Sequence, residues 1–480
     1  MSFRRILVLL VLVAALGTYV YVYEVPKAQR EGKKEKLLDV DKDSVTAIAL
    51  IYPDREIELR KGDKGWRLAK PLDAPADETV VKSVLVTLAD AEVQKTLDEL
   101  PKDLTPFGLD RPAVTARFTL KDGSSPPPIA VGKNTAIGGR TYVRKGEEPK
   151  LYLTSSSIGF GLKKEPKDLR DKQLIAFQDD DVTRVDIRSQ GADPVTLVRK
   201  DKDAWTIDPG DHPADSTEVR SYLSSLRATR AIDFPDDAPA ELVKYGLGDP
   251  RLVVTVATGK DGAGTQSLLV GGETTQGSQK QVYAKRGDQP TVYALGDWSF
   301  RTLTKTAGQF RDKTVLGFDP GRVGRAVLAR KDGSTIAMAR ADAGWTVEGA
   351  DGKKPKDTVI ASFLDDVRDL RGSDVAAEPA TDLGRFGLDT PDLRIALTDK
   401  DGQAIGTIAA AKHDAKYYVM RTGGETVFEA RDYMYARLDK QLRDFVEDPA
   451  AATTTVPAPP PAAGAEDDGA DEDLGGEDAD

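Results

Sequence analysis

The 480-residue chain contains no cysteine and only two histidines, His212 and His413. Without cysteine there can be no disulfide, thiol nucleophile, cysteine-bound zinc or lipid-modified cysteine anchor of the bacterial lipoprotein type. Both histidines lie in polar surroundings that predict surface positions, so the usual nucleophile–base pairs lack a base. The sequence therefore predicts no metal and no cofactor.

Phosphate-binding and nucleic-acid-binding features are also missing. No GxxxxGK[ST] stretch occurs, and the glycines of "VGKNTAIGGR" and "VGGETTQGSQ" indicate loops between strands. The formal net charge is −11, of which residues 466–480 supply nine carboxylates and no base. The rest of the chain is nearly neutral and has no basic surface to predict a nucleic-acid partner.

Carboxylates are abundant, but their pattern does not favour catalysis. Asp110 and Asp389 match each other, whereas Gly248 stands at the corresponding place between them. Three further aspartates each follow an arginine in a predicted closing helix and are interpreted as local charge pairs: Asp171, Asp312 and Asp444. We expect no catalytic residue and no enzyme, with a paired-carboxylate hydrolase as the most distant alternative.

What the sequence does contain is one phrase written three times: "PFGLDRP" at 106–112, "KYGLGDP" at 244–250 and "RFGLDTP" at 385–391. A tryptophan precedes each glycine by 42, 41 and 42 residues, in the pairs Trp66–Gly108, Trp205–Gly246 and Trp345–Gly387. The repeat, about 140 residues long, exceeds the 20–50 residues of stacking solenoids. Each copy is large enough to bury its own core, so we expect three related domains in tandem.

Each module predicts an α+β fold of mainly antiparallel sheet with packed helices. The opening strands are "VTAIALI" at 45, "VTRVDIR" at 182 and "VGRAVLA" at 323. Helix N-caps are predicted at Asp77, Asp215 and Asp357, and those at Asp215 and Asp357 are each followed by one apolar face. Hairpin turns are predicted at the four "KDG" stretches, at 121–123, 260–262, 331–333 and 400–402.

The repeated phrase itself predicts a turn. Gly108, Gly246 and Gly387 supply backbone freedom, and the flanking aromatic and leucine side chains enter the core. The closing proline fits the start of an edge strand, and the three tryptophans are interpreted as core anchors. Each module is predicted to close on a similar segment: "LRDKQLIAF" ending at Phe177, "FRDKTVLGF" at Phe318 and a shortened "LRDF" at Phe445.

The N-terminus carries a long apolar run. Residues 6–23, "ILVLLVLVAALGTYVYVY", hold 18 uncharged residues behind Arg4 and Arg5, and as a helix they would span about 27 Å, close to a bilayer core. A cleaved signal peptide is the alternative, with Ala15-Leu16-Gly17 as its weak site. We favour an uncleaved anchor. Positive charges on both sides do not fix its orientation, but long domains translocate largely regardless of charge, so we expect the domains outside the cytoplasmic membrane.

The predicted organisation assigns every residue to one of seven segments. These are a cytoplasmic N-terminus (1–5), a transmembrane anchor (6–23), a juxtamembrane linker (24–40), module 1 (41–178), module 2 (179–319), module 3 (320–447) and a Pro/Ala-rich, acidic tail expected to be disordered (448–480).

The anchor, the "GW+L" strand, the "FGLD-P" phrase and the "LRDK…F" ending together resemble the bacterial family known as domain of unknown function 4340, over roughly residues 1–447. The resemblance implies a membrane-anchored envelope protein, associated with ABC-transporter components of the gliding-motility type. The third module lacks the strand end seen at Val131-Gly132 and Val270-Gly271 and is expected to pack differently there.

Two functions follow from these expectations. The first is a non-enzymatic accessory or scaffold protein of the inner membrane, whose large C-terminal part is extracytoplasmic. The second is a binding module for an envelope polymer such as peptidoglycan or polysaccharide, for which exposed aromatic side chains would be needed.

Overall fold

A computed structural model describes Thr18, residues 35–259 and residues 264–447. Alternating apolar residues fold the described chain into three antiparallel sheets, one for each copy of the repeat. Each copy contains one long helix and two short ones. The predicted architecture of three tandem α+β modules with mainly antiparallel sheet is confirmed.

The first sheet has nine strands in the order β4-β3-β2-β1-β6-β7-β8-β9-β5. Its strands are β1 (Val45–Ile51), β2 (Glu56–Gly62), β3 (Gly65–Lys70), β4 (Ala74–Pro75), β5 (Lys95–Leu97), β6 (Val114–Leu120), β7 (Ile129–Asn134), β8 (Arg140–Lys145) and β9 (Leu151–Ser155). Its helices are α1 (Glu78–Ala89), α2 (Ser157–Leu162) and α3 (Pro166–Leu169).

The second module repeats this plan. Its strands are β10 (Val182–Ser189), β11 (Val195–Asp201), β12 (Ala204–Asp208), β13 (His212–Ala214), β14 (Asp233–Asp236), β15 (Leu252–Thr258), β16 (Gly264–Gln276), β17 (Gln279–Arg286) and β18 (Val292–Gly296). Its helices are α4 (Ser216–Ala228), α5 (Asp297–Leu303) and α6 (Ala307–Phe310).

The third sheet has eight strands in the order β21-β20-β19-β23-β24-β25-β26-β22. They are β19 (Val323–Arg330), β20 (Thr335–Ala341), β21 (Gly344–Val347), β22 (Asp374–Ala377), β23 (Leu393–Asp399), β24 (Ala404–His413), β25 (Lys416–Arg421) and β26 (Val427–Ala430). The helices are α7 (Asp357–Arg368), α8 (Asp432–Leu438) and α9 (Leu442–Phe445).

The main core of each module lies between the sheet and its long helix. The apolar faces predicted for α4 and α7 are buried there, for example Tyr222 and Phe363, each 1% exposed. A register shift at the start of the opening strand recurs in all three modules, at Val45/Ala47, Val182/Arg184 and Val323/Arg325. The repeat therefore extends to local backbone irregularities.

Two predictions about chain turns need correction or restriction. The closing proline of the repeated phrase does not start an edge strand, because β6, β15 and β23 lie inside their sheets and begin two residues later. The proline therefore stands outside the hydrogen-bonded ladder. "KDG" turns follow β6, β19 and β23, with positive φ at Gly123, Gly333 and Gly402. The fourth, at 260–262, lies outside the described residues.

The chain forms two compact units. One comprises residues up to Asp211 together with Thr217–Thr306, and the other comprises His212–Ser216 together with the residues from Ala307 onward. In the first unit, the strands of the second sheet follow the order β12-β11-β10-β15-β16-β17-β18-β14, which matches the order of the corresponding strands in the first sheet. No helix in the described part of the chain is long and apolar enough to cross a membrane. The predicted anchor at 6–23, apart from Thr18, lies outside that part.

Candidate functional site: the junctions between modules

Each module is completed by a short segment that precedes it in the chain. Isolated antiparallel bridges join Lys36 to Glu92, Gln173 to Arg230 and Thr314 to Arg371. In each bridge the second residue lies just after the long helix of its module. The two residues that follow in each segment are almost fully buried: Leu37 and Leu38, Leu174 and Ile175, and Val315 and Leu316. The later part of the segment predicted to close modules 1 and 2, from Gln173 and from Thr314, therefore belongs to the module that follows, and the end of the predicted juxtamembrane linker holds the equivalent place in module 1.

The short helix before each junction has a fixed backbone register. The N–H groups of Asp77, Asp215 and Lys356 donate to the carbonyls of Leu169, Phe310 and Phe445, respectively. One residue further on, bridges pair Arg170 with Ala76, Arg311 with Ala214 and Val446 with Pro355. Arg170 and Arg311 thus occupy one structural position, and in module 3 that position holds Val446.

This register corrects the prediction that "LRDF" matches "LRDK". Arg443 lies inside α9, three residues before the junction position. The three aspartates interpreted as local charge pairs accept backbone hydrogen bonds, and Asp312 also pairs with the distant Arg371 at 3.2 Å. Asp171 and Asp312 accept from the N–H two residues later, at 2.9 and 3.0 Å, and Asp444 accepts from the N–H of Gln441 at 2.7 Å.

At the first junction, the Arg170 guanidinium donates two hydrogen bonds to Asp237, at 3.1 and 2.6 Å. It also lies 3.7 Å from the centre of the Phe234 ring. The side chain of Arg170 is only 8% exposed. A planar guanidinium that is both bidentate and stacked fixes distance and orientation together, which lysine could not do.

A cleft of about 400 Å³ opens beside this pair. Module 1 contributes Arg67, Leu72 and Arg170, and module 2 contributes Arg286 and Tyr293. The cations are already paired, Arg67 with Asp73 and Arg286 with Asp288, at 2.8 and 3.0 Å. The cleft therefore has no excess of positive or negative charge. We call the arginine–carboxylate pair and the backbone contacts beside it the joint, and the cleft lies along this contact.

The second junction repeats the arrangement within the second unit. Arg311 donates to Glu378 at 2.5 Å and to the carbonyl of Pro213 at 2.9 Å, and Thr426 also donates to Glu378 at 2.5 Å. Burial opposes ionisation of Glu378, but the hydrogen bonds from Arg311 and Thr426 outweigh it, so the pKa of Glu378 lies below its usual value. In both junctions the carboxylate stands 67 residues after its arginine.

The third module keeps the backbone of the joint but not the ion pair. Val446 is 3% exposed and packs in the core of module 3. Beside it, Ala350, Lys353, Leu442 and Arg443 line a cleft of about 520 Å³. A valine cannot make the charge-assisted contact that joins the other modules.

The residues that mark each repeat in the sequence have structural roles, beginning with the three tryptophans. Trp66, Trp205 and Trp345 are between 5% and 8% exposed. Arginine guanidinium groups lie 4.6 and 4.8 Å from the Trp205 and Trp345 ring centres. The backbone N–H groups of Trp66 and Trp345 donate to the carboxylates of Glu78 and Asp357, at 2.6 and 3.0 Å.

The predicted helix caps differ between modules. Asp77 is the N-cap of α1 and accepts from Thr79 and Val80. Asp215 immediately precedes α4, where it pairs with Arg371 at 2.6 Å. The prediction for Asp357 is wrong by one residue, because Lys356 is the N-cap of α7 and Asp357 is its first residue. The shift leaves Asp357 free to bind the Trp345 N–H.

The repeated glycines adopt left-handed conformations, with φ of 66°, 65° and 67° at Gly108, Gly246 and Gly387. The aromatic and leucine residues around them lie outside the main core: Tyr245 and Leu247 form one small cluster, and Phe386 and Leu388 another. The expected difference in module 3 is present, because Ala411 faces Gly387, whereas backbone from Gly271 and Gly272 faces Gly246.

One partner of the phrase was missed. Each phrase aromatic packs edge-on against a tyrosine of a later strand, with ring centres 4.9–5.0 Å apart: Phe107–Tyr142, Tyr245–Tyr283 and Phe386–Tyr418. The signal was available, since "YV", "YA" and "YV" recur at these positions.

The remaining chemistry-bearing residues do not converge on a site. Nδ1 of His212 lies 3.5 Å from Glu378, and Nε2 of His413 lies 3.5 Å from Asp414. In the described part of the chain no group of three or more histidines and carboxylates has an arrangement that could hold a metal ion.

Comparison with known families identifies the family to which the chain belongs. The model of the family described as Domain of unknown function (DUF4340) matches residues 66–239, 205–380 and 357–451. The chain belongs to this family. The first DUF4340 match begins at Trp66 and extends past Asp237, and the second begins at Trp205 and extends past Glu378. Each match therefore contains one complete Arg–carboxylate pair.

Comparisons with curated proteins and with solved structures assign no further family or function. No curated protein matches the chain. A crystal structure titled as a DNA polymerase sliding clamp from Pseudomonas aeruginosa with ligand covers 83% of this chain and 93% of its own, at 11% identity. Its TM-score of 0.12 carries no argument about fold or function.

Proposed function

We propose that this DUF4340 protein is a non-enzymatic accessory or scaffold component of the bacterial cell envelope. In this proposal residues 6–23 anchor it in the cytoplasmic membrane, the three modules lie on the extracytoplasmic side, and the partners are components of an ABC-transporter-associated system. The observation that carries the proposal is the repeated joint.

The joint explains how the repeated polar residues are used. Arg170 and Asp237 connect modules 1 and 2 in the first unit, Arg311 and Glu378 repeat the pair inside the second unit, and Asp171 and Asp312 cap the turns beside them. Side chains that an enzyme would bring together in one cleft are here distributed over two equivalent junctions. Domains joined in series through one recurring contact suit a protein that holds partners at set separations.

The junction segment of module 1 supports attachment close to a membrane. The strand-like pairing of Lys36 with Glu92, and the burial of Leu37 and Leu38, begin 13 residues after Tyr23. Thirteen residues span at most about 47 Å when fully extended. An anchor ending at Tyr23 would therefore keep module 1 within that distance of the bilayer.

Topology is the decisive test, and the cysteine-free chain makes it simple. Ser155→Cys introduces a single exposed thiol, while Thr154→Cys places one at the neighbouring buried position, which is 1% exposed. We expect a membrane-impermeant maleimide to label the first variant in cells whose outer membrane, if present, has been opened. The second should react only after denaturation.

Protection of Ser155→Cys until the cytoplasmic membrane is broken would reject the extracytoplasmic proposal. Crosslinking from the same exposed thiol then tests the partners: transporter subunits should be recovered with the wild-type anchor and lost when residues 6–23 are replaced by a cleavable signal peptide.

A further inference from the structure

Exposed aromatic side chains recur at one place in the module. Among the described residues the large hydrophobic side chains that are exposed include only three aromatics: Phe160, Trp298 and Tyr433, at 71%, 54% and 48%. They lie on α2, α5 and α8, the short helices that follow the last long strand of each module. Each module thus presents one ring to solvent from the same element.

The helices are held in one orientation by a buried leucine. Leu162, Leu303 and Leu438 are at most 1% exposed. Trp298 and Tyr433 each stand five residues before this leucine, and they therefore occupy one structural position. Phe160 stands three positions further along α2, which is about one helical turn and the same side.

The surroundings of Trp298 and Tyr433 are polar. Gly296 makes room for the Trp298 indole, because a Cβ at that position would lie 2.7 Å from its Cδ1 and Nε1 atoms. Beside it Arg301 pairs with Asp297 at 3.0 Å. The Arg437 guanidinium lies 5.6 Å from the Tyr433 ring centre and also pairs with Asp366 at 3.3 Å.

This environment discriminates between ligand classes. Membranes and stable protein partners need contiguous apolar area of several hundred Å², whereas Trp298 and Tyr433 each stand singly beside paired charges. Nucleic acids and anionic lipids need a basic surface, whereas the chain outside residues 466–480 is nearly neutral. A pyranose ring fits, because its C–H face can pack on an aromatic ring while its hydroxyls bond to neighbouring carboxylate and guanidinium groups.

We propose that Phe160, Trp298 and Tyr433 are stacking sites for a neutral polysaccharide, with one sugar contact per module. A polymer that reaches more than one site is held by avidity, so three weak contacts suffice for retention. This inference goes beyond the scaffold proposal and does not depend on its topology or its transporter partners.

Trp298 provides a direct readout. The chain has four tryptophans, and the other three are at most 8% exposed. Acrylamide should therefore quench mainly Trp298 in the purified full chain. We expect chitohexaose or cellohexaose at millimolar concentration to protect this emission, and the protection to be absent in Trp298→Phe. Unchanged quenching at saturating concentrations of both oligosaccharides would overturn the proposal.

Retention on an insoluble glycan tests all three rings together. The triple variant Phe160→Ala/Trp298→Ala/Tyr433→Ala is compared with Ile137→Ala/Val243→Ala, which removes two more exposed apolar side chains, at 89% and 78%, from other places. We expect at least a tenfold loss of retention on chitin or cellulose in the triple variant alone. Equal loss in both variants would indicate nonspecific apolar adsorption and reject the site. Preferential capture by phosphatidylcholine vesicles, lost in the triple variant, would reject the polysaccharide in favour of a lipid surface.

Discussion

At the scale of single residues, the recurring glycine provides a matched comparison between two modules. Gly246 and Gly387 have nearly the same φ, 65° and 67°. A Cβ at Gly246 would lie 2.5 Å from the backbone nitrogen of Gly272, whereas at Gly387 the nearest atom is the Ala411 Cβ at 3.4 Å. The two positions therefore share the conformational penalty and differ in the steric one.

We expect Gly387→Ala to lower the free energy of unfolding by about 1–2 kcal/mol, the usual cost of a left-handed conformation for an L-residue. Gly246→Ala should cost clearly more, because backbone atoms must also move. Urea denaturation of the two variants measures the difference. Equal losses would mean that the sheet relaxes around Gly272.

A second residue-scale prediction concerns pH. The pKa of Glu378 is lower in the folded protein than its ordinary value of 4.5. The stabilisation linked to this shift is therefore fully present above about pH 5 and is lost as pH falls through the folded pKa. The stability difference between wild type and Glu378→Gln should be constant from pH 7 to 5 and shrink below pH 4.5. Glu425→Gln, which also removes one carboxylate but at an exposed position, is the control variant.

At the scale of helices and strands, the sequence predicted what depends on periodicity. The opening strands and the buried faces of α4 and α7 follow directly from alternating and helical spacing. The joint could not be found in this way, because Arg170 and Asp237 belong to different modules and only the fold brings them together. Pattern matching also aligned Arg443 with Arg170, although the backbone places Val446 there. Three letters of similarity do not determine a hydrogen-bond register.

The exposed aromatic rings also could not be predicted from a sequence pattern. Trp298, Tyr433 and Phe160 differ in type and partly in position, so no motif marks them. Their equivalence depends on the buried leucine that orients each short helix. Burial, which sequence alone does not give residue by residue, separated these aromatics from the buried tryptophans.

The start of α7 yields a prediction for a helix. Lys356 occupies its N-cap without a side-chain hydrogen bond, whereas Asp77 caps α1 with two. Lys356→Asp should raise the stability of the chain by about 0.5–1 kcal/mol, because a carboxylate satisfies free N–H groups and suits the helix dipole. Asp77→Ala should lower it by about 1 kcal/mol. Thermal denaturation distinguishes the two signs, and a loss in Lys356→Asp would contradict the assigned helix start.

At the scale of the molecule, the first junction should make modules 1 and 2 unfold together. In tandem arrays, cooperativity depends on the stability of each module and on the contact between neighbours. The first junction lies inside one compact unit and combines a bidentate ion pair, a stacked ring and the insertion of Leu174 and Ile175 into the next module. Modules 1 and 2 are therefore expected to behave as one cooperative body.

Arg170→Ala should weaken this coupling by about 1.5–3 kcal/mol, the usual contribution of hydrogen bonds between charged groups. A double-mutant cycle with Asp237→Asn isolates the pair from other effects of each substitution. Hydrogen exchange should then show modules 1 and 2 opening separately, with the backbone bond from Ala231 to Lys172 exchanging faster in the variant. Arg443→Ala is the matched control, since that exposed arginine shares the sequence pattern but not the structural position. Equal effects of Arg170→Ala and Arg443→Ala would refute both the joint and the register on which it rests.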